Sequence, residues 1–210
     1  MSTQERKKRE QQQRRSGILA AAGELFAECG IEETSMNRIA EKAELSKGTL
    51  YLYFKKKESI VYELLYNYLT DLKERVYKAV EGKTGGYDKS KGVLHAFSEY
   101  HHENEEYINL ARYLDYQVKA VSLAEEEAKR CFSVIDDLKQ TAVTIIREGQ
   151  SDGSIRKDID PALTAATIVH VVESFLLKLS TRRQVVAERS NFGTRELVDH
   201  LLELLLYSLR

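Results

Sequence analysis

Apolar residues recur at helical rather than alternating spacing along most of the chain. Ile18, Ala22, Leu25, Phe26 and Cys29 fall at i, i+4, i+7, i+8 and i+11, which is one face of a helix, and Gly30 follows as a stop. Thr34 and Ser35 offer an N-cap to a helix of about two turns carrying Met36, Ile39, Ala40 and Ala43. The chain turns at Glu44 and Leu45. Ser46 then caps a third helix in which Leu50 and Phe54, four apart, face inward. Ile60, Val61, Leu64, Leu65, Tyr68, Leu69 and Leu72 mark a long fourth helix to about Val80.

The stretch EGKTGGYDKSKG, Glu81 to Gly92, is rich in glycine and predicts a loop and a domain boundary. Beyond it the spacing is again helical. Leu94, Phe97, Tyr100 and His101 share one segment, and Tyr107 to Tyr116 is short and aromatic. Ala128, Phe132, Ile135, Leu138, Ala142, Ile145 and Ile146 keep helical spacing over about five turns, with breaks expected at Gly149 and Gly153. Asp160 and Pro161 open the next helix as cap and first helical position, and it runs to about Thr181. A last helix, Thr194 to Leu209, is rich in leucine. No run alternates apolar with polar residues, so the predicted class is all-α.

Composition adds bounds. The 210 residues, 42% apolar and 31% charged, describe an ordinary globular chain. Cys29 and Cys131 make neither a disulfide framework nor a metal-binding spacing, which predicts a cytoplasmic chain. Met1 to Arg15 is polar and basic without the apolar core of a secretory signal. The most apolar stretch, Ala162 to Leu179, is interrupted by His170, Glu173 and Lys178, and reads as a buried helix rather than a membrane span. The net charge of −1 hides an asymmetry: residues 1–57 carry 12 basic and 8 acidic side chains, residues 58–210 carry 20 and 25. A polyanion partner is therefore expected for the first part.

Two short helices joined by a tight turn under a third predict a helix-turn-helix, whose second helix enters the DNA major groove by its N-terminal end. With Leu50 and Phe54 turned inward, Lys47, Gly48, Thr49, Tyr51 and Tyr53 face outward. Ser46 and Lys47 lie where the helix dipole favours phosphate. Gly48 lets a backbone approach closely, and Thr49 suits a phosphate or a thymine methyl. The tyrosine hydroxyls suit phosphates, and Lys57 opens the fourth helix where charge and dipole act together. Taken singly each residue has a bland alternative: core or rim for tyrosine, a solvated face for the lysines, a plain cap for Ser46.

The stretch TSMNRIAEKAELSKGTLYLYFKKKESI resembles the DNA-binding signature of the TetR family of bacterial transcriptional regulators, and ILAAAGELFAECGIEETS resembles the family's first helix and turn. IREGQSDGSIRKDIDPALTAATI is similar to the turn before the family's dimerisation helices. The resemblance implies an N-terminal three-helix helix-turn-helix domain at 14–72 after a basic arm at 1–13. A C-terminal helical-bundle domain at 73–210, for ligand binding and dimerisation, would bring the total to about nine helices. It implies recognition helix 46–54, DNA contacts from Ser35 and Asn37 as well as Ser46, Lys47, Gly48, Thr49, Tyr51 and Tyr53, and a phosphate contact from Lys57. It further implies a homodimer on an inverted-repeat operator of double-stranded DNA, most often a repressor released by a small molecule, with no cofactor, no enzyme activity and no membrane partner. Two residues depart from the family pattern. Glu44 stands where many relatives have glycine, and a left-handed backbone there costs about 1 kcal/mol. Lys56 stands where a small capping residue is frequent.

Outside the helix-turn-helix, Lys7, Lys8, Arg9, Arg14 and Arg15 form a basic segment suited to a minor groove or to solvation alone. The last two long helices are too apolar for a single buried stripe. Val171, Phe175, Leu197, Leu201 and Leu205 are the expected dimer interface, with a thicker monomer core as the alternative. Phe97, Tyr100, His101, Tyr107, Tyr113, Tyr116, Phe132 and His170 are candidates for a pocket taking an apolar or aromatic effector, with core packing as the alternative. Glu99 and His102 have the Glu-x-x-His spacing of di-iron bundles but no second pair. An all-α enzyme or metal-binding protein is thus the second reading.

Overall fold

The computed structural model describes residues 3–104, 110–113, 126–181 and 191–210. Tyr107 and Tyr116 lie outside them. Among the described residues every regular element is helical: α1 Thr3–Cys29, α2 Met36–Lys42, α3 Lys47–Tyr53, α4 Lys57–Val80, α5 Gly86–Glu103, α6 Glu126–Asp152, α7 Pro161–Thr181 and α8 Thr194–Ser208.

The chain divides into two compact units, Met1–Asn67 with Asn109–Cys131 and Tyr68–Ile108 with Phe132–Arg210. This division falls after Asn67, and the described residues 110–113 and 126–131 group with the first unit. The basic side chains Lys7, Lys8, Arg9, Arg14 and Arg15 lie within α1, which starts at Thr3.

In the first unit Ile18, Ala22 and Phe26 of α1, Ile39 of α2, Leu50 of α3 and Ile60 of α4 are all buried. The predicted stops and caps account for the turns between them. Gly30 takes φ +85°, and its N–H donates to Phe26 O at 3.0 Å. Ser35 Oγ accepts from Arg38 N and Ser46 Oγ from Thr49 N, capping α2 and α3. Thr34, also offered as a cap, is instead buried with its hydroxyl donating to Gly30 O at 2.7 Å.

The second unit corrects the reading of its glycines. Residues 86–92, expected in a loop, form the first two turns of α5, and Gly149, expected as a break, lies inside α6. These glycines mark close approach rather than turns. A Cβ on Gly86 would overlap the backbone of Gly149 and stand 2.5 Å from Ile145 O. A Cβ on Gly92 would stand 2.6 Å from Ala79 O, and one on Gly149 would stand 2.5 Å from Ile155 Cδ1. Helix α6 ends where Gly153 takes φ +80°. Asp160 Oδ1 then accepts from Leu163 N at 2.7 Å, capping α7 at Pro161. Val143, Ile146, Val172, Leu176, Leu202 and Leu206 are the centre of this core.

Helix α5 has no cap of its own. Asp152 Oδ2 accepts from Gly86 N at 2.8 Å and Ser154 Oγ from Tyr87 N at 3.1 Å. The Ser154 hydroxyl and amide, followed by the Gly86 amide, hold the Asp152 carboxyl below its ordinary 3.8. A carboxylate lowered on folding stabilises above its unfolded pKa and loses that contribution as pH falls through the folded value. Wild type is therefore expected to melt above Asp152→Asn at neutral pH, with the gap closing below about pH 4. Calorimetric melting of both proteins between pH 7 and 3 checks this, and a gap that persists unchanged at pH 3 sinks it.

Candidate functional site

The outward face of the helix-turn-helix gathers the residues expected there. Ser35, Asn37, Ser46, Lys47 and Gly48 are exposed, while Thr49, Tyr51, Tyr53 and Lys57 are half-buried at its margin. Ser46 Oγ and Thr49 Oγ1 are 2.8 Å apart, so the cap also orients the threonine hydroxyl. Among the described residues a Cβ at Gly48 would meet only Ser46 Oγ at 3.9 Å, so no packing there requires glycine. Lys47 makes no ion pair among the described residues.

Lys57 is committed inside the fold. Its ammonium donates to Ile31 O at 2.6 Å and Glu32 O at 3.1 Å, tying the start of α4 to the turn after α1. An ammonium has three donors, so one is left for an outside acceptor. Lys55 is exposed, and Lys56 is engaged elsewhere.

Two residues escaped the sequence reading. Leu52 is 78% exposed in the middle of α3, two residues from both Leu50 and Phe54 and hence on the opposite side. Arg15, read as part of a basic segment, grips the end of α3. Its guanidinium bonds the Glu63 carboxylate through Nε and Nη2 at 3.2 Å each, donates to Tyr53 O at 3.5 Å and lies 4.3 Å from the centre of the Phe54 ring. Glu63 is 17% exposed and is also approached by Arg130 at 3.7 Å. The signal was present: Arg15 stands three residues before Ile18 on the buried face of α1.

Glu44 takes a backbone conformation that glycine adopts at lower cost. It takes φ +54°, and α2 ends with Glu44 N donating to Glu41 O at 3.0 Å and Leu45 N to Ala40 O at 2.9 Å. This paired closure puts the residue after the cap in the left-handed region. Glu44→Gly is expected to relieve about 1 kcal/mol of strain and raise Tm by about 2–4 °C, whereas Glu44→Gln leaves Tm unchanged. Thermal melting of both variants checks this, and equal shifts would point to charge rather than strain.

The aromatic candidates scatter. Tyr100 is buried with its hydroxyl donating to Tyr68 O at 2.9 Å. Tyr113 donates to Glu58 at 3.4 Å in the first unit, and burial, then the Glu58 carboxylate, push its phenol up to about 12. His170 is exposed, His101 and Phe132 are half-buried, and His101 is already engaged. Among these eight, Phe97 lines the apolar cavity of the second unit, with Leu72, Leu94, Ile146, Ile168 and Val172. Glu99 of the Glu-x-x-His pair is bonded to Arg195 at 3.1 Å, and among the described residues no three His, Cys, Asp or Glu side chains converge as a metal site would need.

On the last two helices Phe175, Leu197, Leu201 and Leu205 are half-buried against the core, and Val171 is exposed. Helix α7 is long and apolar enough to cross a bilayer by length and composition alone. It packs one side on the core yet leaves Leu163 68% exposed, so the expectation of a buried helix holds for one face only. Leu204 and Tyr207 of α8 are exposed as well.

Comparison with known proteins places this arrangement. Residues 18–64 match the family described as bacterial regulatory proteins, tetR family. The chain is 30% identical over 156 residues to the HTH-type transcriptional repressor KstR2 of Mycolicibacterium smegmatis, covering 70% of each. Two solved structures share the fold. One is the regulator FadR of Bacillus subtilis in complex with stearoyl-CoA, with a TM-score of 0.69, 22% identity, and coverage of 93% of this chain and 99% of that one. The other is AibR in complex with isovaleryl coenzyme A and operator DNA, with a TM-score of 0.70, 16% identity, and coverage of 92% and 98%. With its capped helix-turn-helix, a second unit whose described regular elements are all helices and this degree of identity, the chain belongs to the tetR family of bacterial regulatory proteins and is a DNA-binding transcriptional regulator.

Proposed function

We propose that the protein is a cytoplasmic repressor that holds an inverted-repeat operator as a homodimer and releases it when an acyl-bearing effector fills the apolar cavity of its second unit. The observation that carries this reading is that cavity, walled by aliphatic side chains of α4, α5, α6 and α7 in the same chain as an outward-facing cationic recognition helix. The acyl-CoA ligands of FadR and AibR support the effector class. In this reading Ser35, Asn37, Lys47 and Gly48 face the duplex, with Thr49, Tyr51, Leu52, Tyr53 and the third donor of Lys57 at its edges.

A second copy would cover the apolar residues that α7 and α8 leave outside. Leu163, Val171, Leu204 and Tyr207 lie on these helices, and an isologous pairing of the two would form a four-helix interface. DNase protection of the region upstream of the gene tests the whole reading. A short protected inverted repeat, lost on adding acyl-CoA, is the expected result. Equal affinity for random DNA sinks the regulator, and a Leu204→Glu variant that remains dimeric in sedimentation sinks this interface.

A further inference from the structure

The cavity lies wholly within the second unit, and its volume is about 100 Å³. An apolar cavity of about 150 Å³ binds benzene, six carbons, so this one takes about four or five. A steroid nucleus or a long acyl chain exceeds it severalfold.

Its polarity is equally specific. Three lining residues carry polar side chains: Ser90, Lys139 and Glu173. The Ser90 hydroxyl donates to Gly86 O at 2.9 Å, and Glu173 is exposed and already engaged. Lys139 differs from the other lysines that meet α6. Lys73 bonds Asp137 and Lys89 bonds Glu148, each at 2.6 Å. Lys139 is half-buried on the cavity wall and has no such carboxylate partner among the described residues. A lysine that lines an apolar cavity and has no carboxylate of its own favours a ligand that brings an oxygen acceptor within reach of its ammonium.

Resting on the acyl-effector reading above, we infer that the effector is a short acyl compound whose four- or five-carbon tail fills the cavity while Lys139 holds its acyl oxygen. That oxygen belongs either to a free carboxylate or to a thioester carbonyl.

Fluorescence anisotropy of a labelled operator complex, titrated with acetyl-, butyryl-, isovaleryl-, octanoyl-, lauroyl- and stearoyl-CoA and with the matching free acids, tests this. Affinity should rise about fourfold per buried carbon and stop rising beyond about five. Activity of the acids alone, or of the thioesters alone, identifies the source of the oxygen, and either supports the inference. Lys139→Met should weaken the best ligand about tenfold or more while operator affinity stays within about twofold, and Lys139→Arg should restore most of the loss. Direct calorimetric binding to the variants keeps the test valid if release is altered. Affinity that keeps climbing to stearoyl-CoA overturns the inference and leaves the acyl reading standing, as does a Lys139→Met protein that binds the best ligand like wild type. Absence of binding by every thioester and acid overturns both.

Discussion

Lys47→Glu is expected to weaken operator binding by about two orders of magnitude at low salt while the fold becomes slightly more stable. Lys47 is the first residue of α3, exposed and without an ion pair among the described residues, so no intramolecular contact is lost. An acidic side chain in a first helical turn is favoured by the helix dipole by a few tenths of a kcal/mol. On DNA the same change is expected to remove one neutralised phosphate and to set a carboxylate against the backbone. The log–log salt slope should become less steep by about 0.9 for the lost contact, with repulsion adding to it. Lys47→Gln should fall between the two proteins, since it loses the contact without the repulsion. Anisotropy with labelled operator from 50 to 300 mM salt, beside thermal melting, measures both effects. An unchanged salt slope would mean that Lys47 meets no phosphate.

Gly86→Ala is expected to destabilise the second unit by about 3 kcal/mol, lowering Tm by about 6–12 °C. The atoms a Cβ would strike are the backbone of Gly149 and the carbonyl of Ile145, which cannot rotate aside as a side-chain tip does. Relief would require α5 and α6 to separate, and that would also pull Gly86 N from Asp152. Gly23→Ala is the internal control. Gly23 lies in α1 with nothing among the described residues within 4 Å of a Cβ, so the same chemical change there should stabilise by up to about 1 kcal/mol. Denaturant melts of the two variants should therefore move in opposite directions. A Gly86→Ala protein as stable as wild type would show that the crossing can open without cost.

The contrast between these glycines also marks what was legible in the sequence. Gly30 and Gly153 read correctly as stops because a left-handed residue after an apolar face has one common use, and both take positive φ. Gly86, Gly92 and Gly149 were misread because sequence does not separate a glycine needed for its backbone angle from one needed for its missing side chain. The helix-turn-helix was legible because caps, turn and inward residues lie within one short stretch, where local chemistry decides. Its cations were not fully legible. Charge pattern alone cannot show that Lys57 spends two donors on Ile31 and Glu32, or that Arg15 holds the Tyr53 carbonyl. The aromatic pocket candidates dispersed for a related reason. A tyrosine fills a core as well as a cavity wall if its hydroxyl finds an acceptor, as Tyr100 does at Tyr68.

The borrowed cap of α5 bears on how the chain acquires its structure during synthesis. The amides of Gly86 and Tyr87 wait for acceptors 66 and 67 residues downstream. The short helices α2 and α3 carry their own caps at Ser35 and Ser46, and these leave the ribosome long before Asp152. Helix α5 emerges soon afterwards with its first turn unsatisfied, and it settles only when Asp152 and Ser154 have left the ribosome. The nascent chain therefore presents a nearly finished DNA-binding surface well before the unit that governs its release has set.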